Sequence, residues 1–155
     1  MKSLGSHCIL EMYDCPPGLL NDVVFVRDAV RRAAQEARST LLHEVQHAFE
    51  PQGVTALALL AESHISVHTW PEKGYAAADV FTCGQHTRPE RACEYLKRVF
   101  QARRFQMRKL PRGMMAPNLP RNDRPSPVVE AAAEPGESSE EASQCRVLSF
   151  ARISG

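Results

Sequence analysis

Two rhythms of apolar residues run through the first two thirds of the chain. Gly5–Tyr13 alternates in the manner of a strand. Between Asn21 and Arg38 the period lengthens. Val26, Val30, Ala33 and Ala37 recur every three or four residues, and Arg27, Arg31, Gln35 and Arg38 lie off that stripe, which predicts an amphipathic helix. Thr40–Phe49 fits either a helix or a strand, and Pro51 and Gly53 then mark a turn. Val54–Ala61 is an apolar run broken by Thr55 alone, expected as a buried strand. Ser63–Trp70 alternates and is rich in β-branched residues, Pro71–Gly74 is a turn, and Tyr75–Cys83 is a further strand. Thr87-Arg88-Pro89-Glu90 has the spacing of a capping box, so a second helix is expected from Thr87, with Cys93, Leu96 and Phe100 as its apolar stripe. Arg104–Leu110 closes the series as a strand. The order β-α-β-β-β-β-α-β, with short turns between strands, implies antiparallel pairing. The expected class is α+β: a two-layer α/β sandwich, an antiparallel sheet with helices on one face. The other face then needs a cover, so a dimer is expected.

The patterning ends near Met115, which divides the chain into a body, 1–115, and a tail, 116–155. The tail holds five of the eleven prolines, and Glu134–Ser143 is rich in Glu and Ser. Such a segment cannot bury enough apolar surface to offset the entropy of ordering, so a disordered tail is expected, with Val147–Ile153 as a short apolar stretch able to dock. The net charge of +1 argues against an electrostatically driven nucleic-acid binder and against a polybasic membrane anchor. The longest apolar run is far too short for a bilayer span, and His7 and Glu11 interrupt any signal-peptide pattern. Five cysteines without a CxxC fit a reduced, cytoplasmic protein better than a disulfide scaffold.

His43-Glu44-Val45-Gln46-His47 matches HExxH, which on a helix lets two histidines chelate one zinc with the glutamate as general base. On a strand the two histidines share a face but lie about 13 Å apart, at about 3.3 Å per residue, too far for one ion. The Pro-Gly turn that follows suits a hairpin strand, so no metal site is expected. Arg31-Arg32 and Lys97-Arg98 read as solvated helix faces, His86 as a surface histidine, Cys93 as core, and Cys145 as an exposed thiol in the tail.

The densest chemistry lies between Glu62 and Gly84, where a serine, two histidines, carboxylates, a tryptophan and a cysteine gather around one hairpin. A Ser/His pair suggests a hydrolase, yet no GxSxG elbow is present, and a serine inside a strand is badly placed to attack an external acyl group. A Cys/His pair suggests a thiol hydrolase, without supporting flanks. Spacing alone marks a site and leaves its reaction open.

The run ESHISVHTWPEKGYAAADVFTCG closely resembles the prokaryotic S-adenosylmethionine decarboxylase proenzymes. The resemblance spans roughly residues 3–110, including Leu4-Gly5-Ser6-His7 and the turn at Phe49, Pro51, Gly53 and Val54, and excludes the tail. It implies a two-layer α/β sandwich that forms homodimers, with the HExxH segment as a strand. It also implies a cofactor made from the chain itself, a pyruvoyl group generated from Ser63, in place of pyridoxal phosphate. Such a carbonyl acts as the electron sink that decarboxylation of an α-amino acid requires. By the resemblance, the Ser63 hydroxyl attacks the carbonyl of Glu62, the resulting ester is broken by β-elimination, and chains 1–62 and 63–155 result. His68 matches the residue that assists elimination. Thr55 stands where the family commonly has serine; the hydroxyl that supports processing is kept, with an added methyl. Cys83 matches the general acid that reprotonates the α-carbon. Phe49 and Trp70 are candidates to stack on adenine or face the sulfonium, and Glu72 to accept from the ribose hydroxyls. The activity implied is decarboxylation of S-adenosylmethionine, supplying the aminopropyl donor for spermidine synthesis.

Two other functions fit parts of the pattern. A pyruvoyl enzyme for ornithine or arginine would share the 62–83 machinery and differ in its pocket. A non-catalytic regulatory subunit has no need of intact Ser63, His68 and Cys83. One problem remains open. Strict alternation puts Ser63 and His68 on opposite strand faces, so either the strand is irregular at its start or the site combines two subunits.

Overall fold

The computed structural model describes residues 3–114. The proposed tail, the Val147–Ile153 stretch and Cys145 lie outside the described residues. Six strands form one antiparallel sheet: β1 (Gly5–Tyr13), β2 (Leu41–Ala48), β3 (Val54–Leu60), β4 (Ser63–Trp70), β5 (Tyr75–Cys83) and β6 (Arg104–Arg112). Their order across the sheet is β2-β3-β4-β5-β1-β6, so the first strand lies between the fifth and the last. The helices are α1 (Pro17–Leu20), α2 (Val23–Glu36) and α3 (Pro89–Val99), with a 3-10 turn at Pro71–Lys73. This is the expected α+β sandwich.

The period of two decides the layering. Cys8, Leu10 and Met12 on β1, Val54, Ala56, Ala58 and Leu60 on β3, Ile65 and Val67 on β4, and Ala76, Ala78 and Val80 on β5 are all buried. They meet Val26, Ala29, Val30 and Ala33 of α2 and Ala92, Cys93 and Leu96 of α3. Phe25 and Phe100 join the two helices edge to face, with centroids 5.2 Å apart. Alanines on both layers (Ala56, Ala58, Ala76 and Ala78 on the strands, Ala29, Ala33 and Ala92 on the helices) let the layers approach, and larger side chains such as Leu10, Met12, Ile65 and Leu96 fill the space between them.

Four local features depart from the sequence reading. Pro17 starts a short α1 in a stretch to which the sequence pattern assigns no element; a proline is acceptable there because the first helical position needs no N–H. α2 begins at Val23 rather than Asn21. Asp22 caps it, accepting from the N–H groups of Val24 and Phe25 at 3.0 Å each, while the Asn21 side chain accepts from the Gly53 N–H at 2.9 Å instead. α3 begins at Pro89, and no capping box forms. The Thr87 hydroxyl lies 3.1 Å from the Gly84 carbonyl and accepts from Thr82 at 3.0 Å, so it ties the loop to β5 rather than capping the helix. β6 runs two residues beyond the expected Leu110, because Gly5 and Ser6 of β1 pair with Arg112 and Pro111.

The HExxH segment is strand β2. His43 faces Leu59 and His47 faces Thr55 in the ladder, while Glu44 turns to the helix side and is held by the Arg31 guanidinium. Arg31 is therefore an ion-pair partner and not merely a solvated face. The two histidines are four strand residues apart, about 13 Å, and cannot share an ion.

Candidate active site

The sheet face away from the helices carries the titratable and aromatic side chains. His64, Ser66, His68 and Trp70 alternate along β4, opposite Leu59, Leu57 and Thr55 of β3 and Phe81, Asp79, Ala77 and Tyr75 of β5. His7, Ile9 and Glu11 continue the same face on β1. Two clusters stand at opposite ends of this face.

The first cluster is built on the Leu60–Ser63 turn. Leu60 pairs with Ser63, so only Ala61 and Glu62 join two strands. Two-residue hairpins favour turns with positive φ at the central residues, which match the strand twist. Neither Ala61 nor Glu62 has one; Ser63 takes it up instead, at φ 147°. A serine there costs on the order of 1–3 kcal/mol of backbone strain. The strand is thus irregular at its start. The Ser63 hydroxyl lies 3.2 Å from His64 Nδ1. The carbonyl oxygen of Glu62, just before Ser63, accepts from the Cys83 N–H at 2.9 Å. Cys83 pairs with Gly5, and a Cβ on Gly5 would stand 3.1 Å from its sulfur. The same Cβ would meet the Phe81 ring at 2.8 Å and the Thr82 carbonyl oxygen at 2.9 Å, and these closer contacts hold the position to glycine.

The Glu62 side chain is clamped. It accepts from the Thr40 N–H at 2.9 Å, and its carboxylate lies 3.3 Å from the Thr40 hydroxyl and 3.4 Å from His86 Nε2. Burial raises its pKa, but the Thr40 amide, His86 and the Thr40 hydroxyl outweigh that and hold it below the usual carboxylate range. His86, read from the sequence as a plain surface residue, is part of this clamp.

The second cluster lies at the other end. Thr55 and His68 are cross-strand neighbours, with Oγ1 and Nδ1 2.8 Å apart. The Trp70 ring lies tilted against Tyr75, with centroids 5.2 Å apart, and tilted against His68 at 6.5 Å. Burial and the neighbouring Glu11 carboxylate, to which Tyr75 donates, keep the Tyr75 phenol protonated. Phe49 is 42% exposed, and the His47 ring stands edge-on to it at 4.8 Å. Its N–H donates to the Gly53 carbonyl at 2.8 Å across the Pro51 turn. Glu72 is exposed in the 3-10 turn.

Of the residues singled out in the sequence, Glu62, Ser63 and Cys83 come together, and so do Thr55, His68 and Trp70. The two groups do not meet in one chain, because five strand residues, about 16 Å, separate Ser63 from His68. His64 was counted in the cluster without a part of its own, and Thr40, Tyr75 and the Cys83 amide were not singled out. Their roles follow from strand register, which the sequence pattern alone does not number.

Comparison with known proteins gives the family and the fold. A family profile described as S-adenosylmethionine decarboxylase matches residues 6–113. A protein named S-adenosylmethionine decarboxylase proenzyme from Parasynechococcus marenigrum (strain WH8102) is 52% identical over 132 residues, covering 85% of this chain and 95% of the relative. Another of that name, from Synechococcus sp. (strain WH7803), is 58% identical over 105 residues, covering 68% of this chain and 82% of the relative. A crystal structure of the adenosylmethionine decarboxylase from Aquifex aeolicus superposes with a TM-score of 0.70 at 34% identity, covering 75% of this chain and 96% of that one.

Proposed function

The chain belongs to the S-adenosylmethionine decarboxylase family, and from that premise we propose that it cuts itself between Glu62 and Ser63 and then decarboxylates S-adenosylmethionine. The observation that carries this reading is the junction itself: a strained Ser63 at φ 147° whose preceding carbonyl is already held by the Cys83 N–H at 2.9 Å. Attack by the Ser63 hydroxyl on that carbonyl places negative charge on the Glu62 oxygen. A backbone N–H fixed beforehand is suited to stabilise it. Opening the Glu62–Ser63 amide also releases the backbone strain.

The residues present fit a pyruvoyl group at position 63. The serine has a hydroxyl 3.2 Å from His64 Nδ1, a polarised carbonyl beside it and a thiol on the neighbouring strand. Once formed, the group supplies a carbonyl that takes the substrate amine and an electron sink for the pair released with carbon dioxide. Cys83 holds the proton that returns to the substrate α-carbon. Thr55 and His68 handle the proton removed in the elimination step, the threonine hydroxyl orienting the imidazole through Nδ1. Phe49 and Trp70 offer aromatic faces to the nucleoside, and Glu72 offers a carboxylate to the ribose diol.

The separation of the clusters supports a homodimer. Two copies packed through the open face by a two-fold axis would bring Ser63 and Cys83 of one to Thr55 and His68 of the other. Exposed Leu57, at 38%, and Leu59, at 55%, would be covered in the same step. Among the described residues no helix is long and apolar enough to cross a membrane. The body at 1–115 holds every residue given a role here, and the tail at 116–155 none.

The test is decarboxylation by the purified protein. The expected result is a kcat/KM for S-adenosylmethionine at least about 100-fold above that for ornithine or arginine, the size of discrimination that two or more lost pocket contacts produce. A preference for either basic amino acid would move the chain to the alternative substrate and leave the self-cleavage standing. No turnover of any substrate would favour a regulatory subunit.

A further inference from the structure

We propose that His64 is the general base for the first step of self-cleavage, a role separate from that of His68. The inference rests on the self-cleavage reading above and adds to it. His64 Nδ1 lies 3.2 Å from the Ser63 hydroxyl, within reach for direct proton transfer. The other two histidines of the site are engaged elsewhere: His86 faces the Glu62 carboxylate at 3.4 Å, and His68 is bonded to Thr55 at 2.8 Å on a distant part of the face. The Phe81 ring stands edge-on to the His64 ring, with centroids 6.0 Å apart. The left-handed backbone at Ser63 belongs to the same arrangement. Regular alternation would aim Ser63 toward the helices, opposite Thr82, while His64 points to the open face. The irregular start of β4 brings the hydroxyl within reach of its neighbour's imidazole.

The step balances without any added reagent. His64 acts in the tautomer that carries its proton on Nε2, leaving Nδ1 as acceptor. The Ser63 Oγ proton moves to Nδ1 as Oγ bonds to the Glu62 carbonyl carbon. The electron pair displaced from the carbonyl rests on the Glu62 oxygen, against the Cys83 N–H. When the carbonyl re-forms, the bond between the Glu62 carbon and the Ser63 nitrogen breaks. His64 returns its proton to that nitrogen. The products are an ester at Ser63 Oγ and a free amine, and His64 is restored. Elimination of the ester then falls to His68 and Thr55.

The experiment compares first-order cleavage of freshly purified wild type, His64→Asn and His64→Gln, each checked for folding by circular dichroism. Both amides can hydrogen-bond to Ser63, and neither can take up its proton. The expected result is cleavage slowed by about 100-fold or more in both, the usual scale for losing a general base. The uncut chain should be an amide, resistant to hydroxylamine, whereas His68→Ala should accumulate a hydroxylamine-sensitive ester. Cleavage of either His64 variant within about threefold of wild type would overturn the proposal. So would accumulation of ester in those variants, because His64 would then act after the step assigned to it. If wild type itself stays whole, the underlying self-cleavage reading fails instead, so the two failures are distinguishable.

Discussion

The two faces of the sheet are made by the same strands and follow opposite rules. The covered face carries Ala, Val, Leu and Ile, and those side chains are buried against two helices. The open face carries His7, Thr55, His64, His68, Trp70, Tyr75, Asp79 and Cys83, most of them half-buried. A strand in water needs only one apolar face to fold, so the second face is free to hold polar groups. In this chain the open face gathers titratable side chains, the groups the proposed chemistry needs, while the covered face fixes the register that places each of them.

The largest effect expected concerns how the open face is completed. When Ser63→Ala and His68→Ala chains are co-expressed, a mixed dimer contains one site with both residues intact and one with neither. The His68→Ala chain should then be cleaved, from essentially none alone to a clear fraction in the mixture, as read by mass spectrometry of differently tagged chains. A site contained in one chain predicts no cleavage in the mixture.

A second contrast separates stability from association. Leu96 is fully buried on α3, and Leu57 is 38% exposed on the open face. Leu96→Ala should cost about 2–5 kcal/mol in urea unfolding, the usual range for a core leucine. Leu57→Ala should cost less than about 1 kcal/mol in the isolated chain while shifting the dimer toward monomer in sedimentation. Equal losses from both would mean that the open face is part of the folding core.

The smallest effect is on substrate contact. Phe49→Ala should lower kcat/KM for S-adenosylmethionine by roughly 1–3 kcal/mol, the scale of one lost stacking contact. Cleavage should be almost unchanged, because it needs no substrate. A matched loss in cleavage would place Phe49 in the fold of the 49–55 turn rather than against the nucleoside.

Much of the covered face was legible in the sequence, because burial enforces period. Strands Ser63–Trp70 and Tyr75–Cys83 begin and end where the alternation does, and Val26, Val30 and Ala33 are buried as their spacing requires. The helix starts were less legible. Thr87 has the spacing of a cap, yet its hydroxyl reaches toward the loop carbonyls, and a three-residue spacing cannot reveal that competition. The open face was legible as residue types and not as geometry. Alternation exposed the conflict between Ser63 and His68, but its answer depends on a positive φ at Ser63 and on a ladder that pairs Thr55 with His68. His86 looked idle because its partner, Glu62, is 24 residues away.

The most direct test of the account is the intact mass of purified wild type beside Ser63→Ala. Wild type should give two chains, residues 1–62 and 63–155, the second carrying a pyruvoyl group and closed to Edman degradation, while Ser63→Ala stays as one chain. A wild-type protein that remains full-length after long incubation, or a Ser63→Ala protein cut at the same bond, would contradict it.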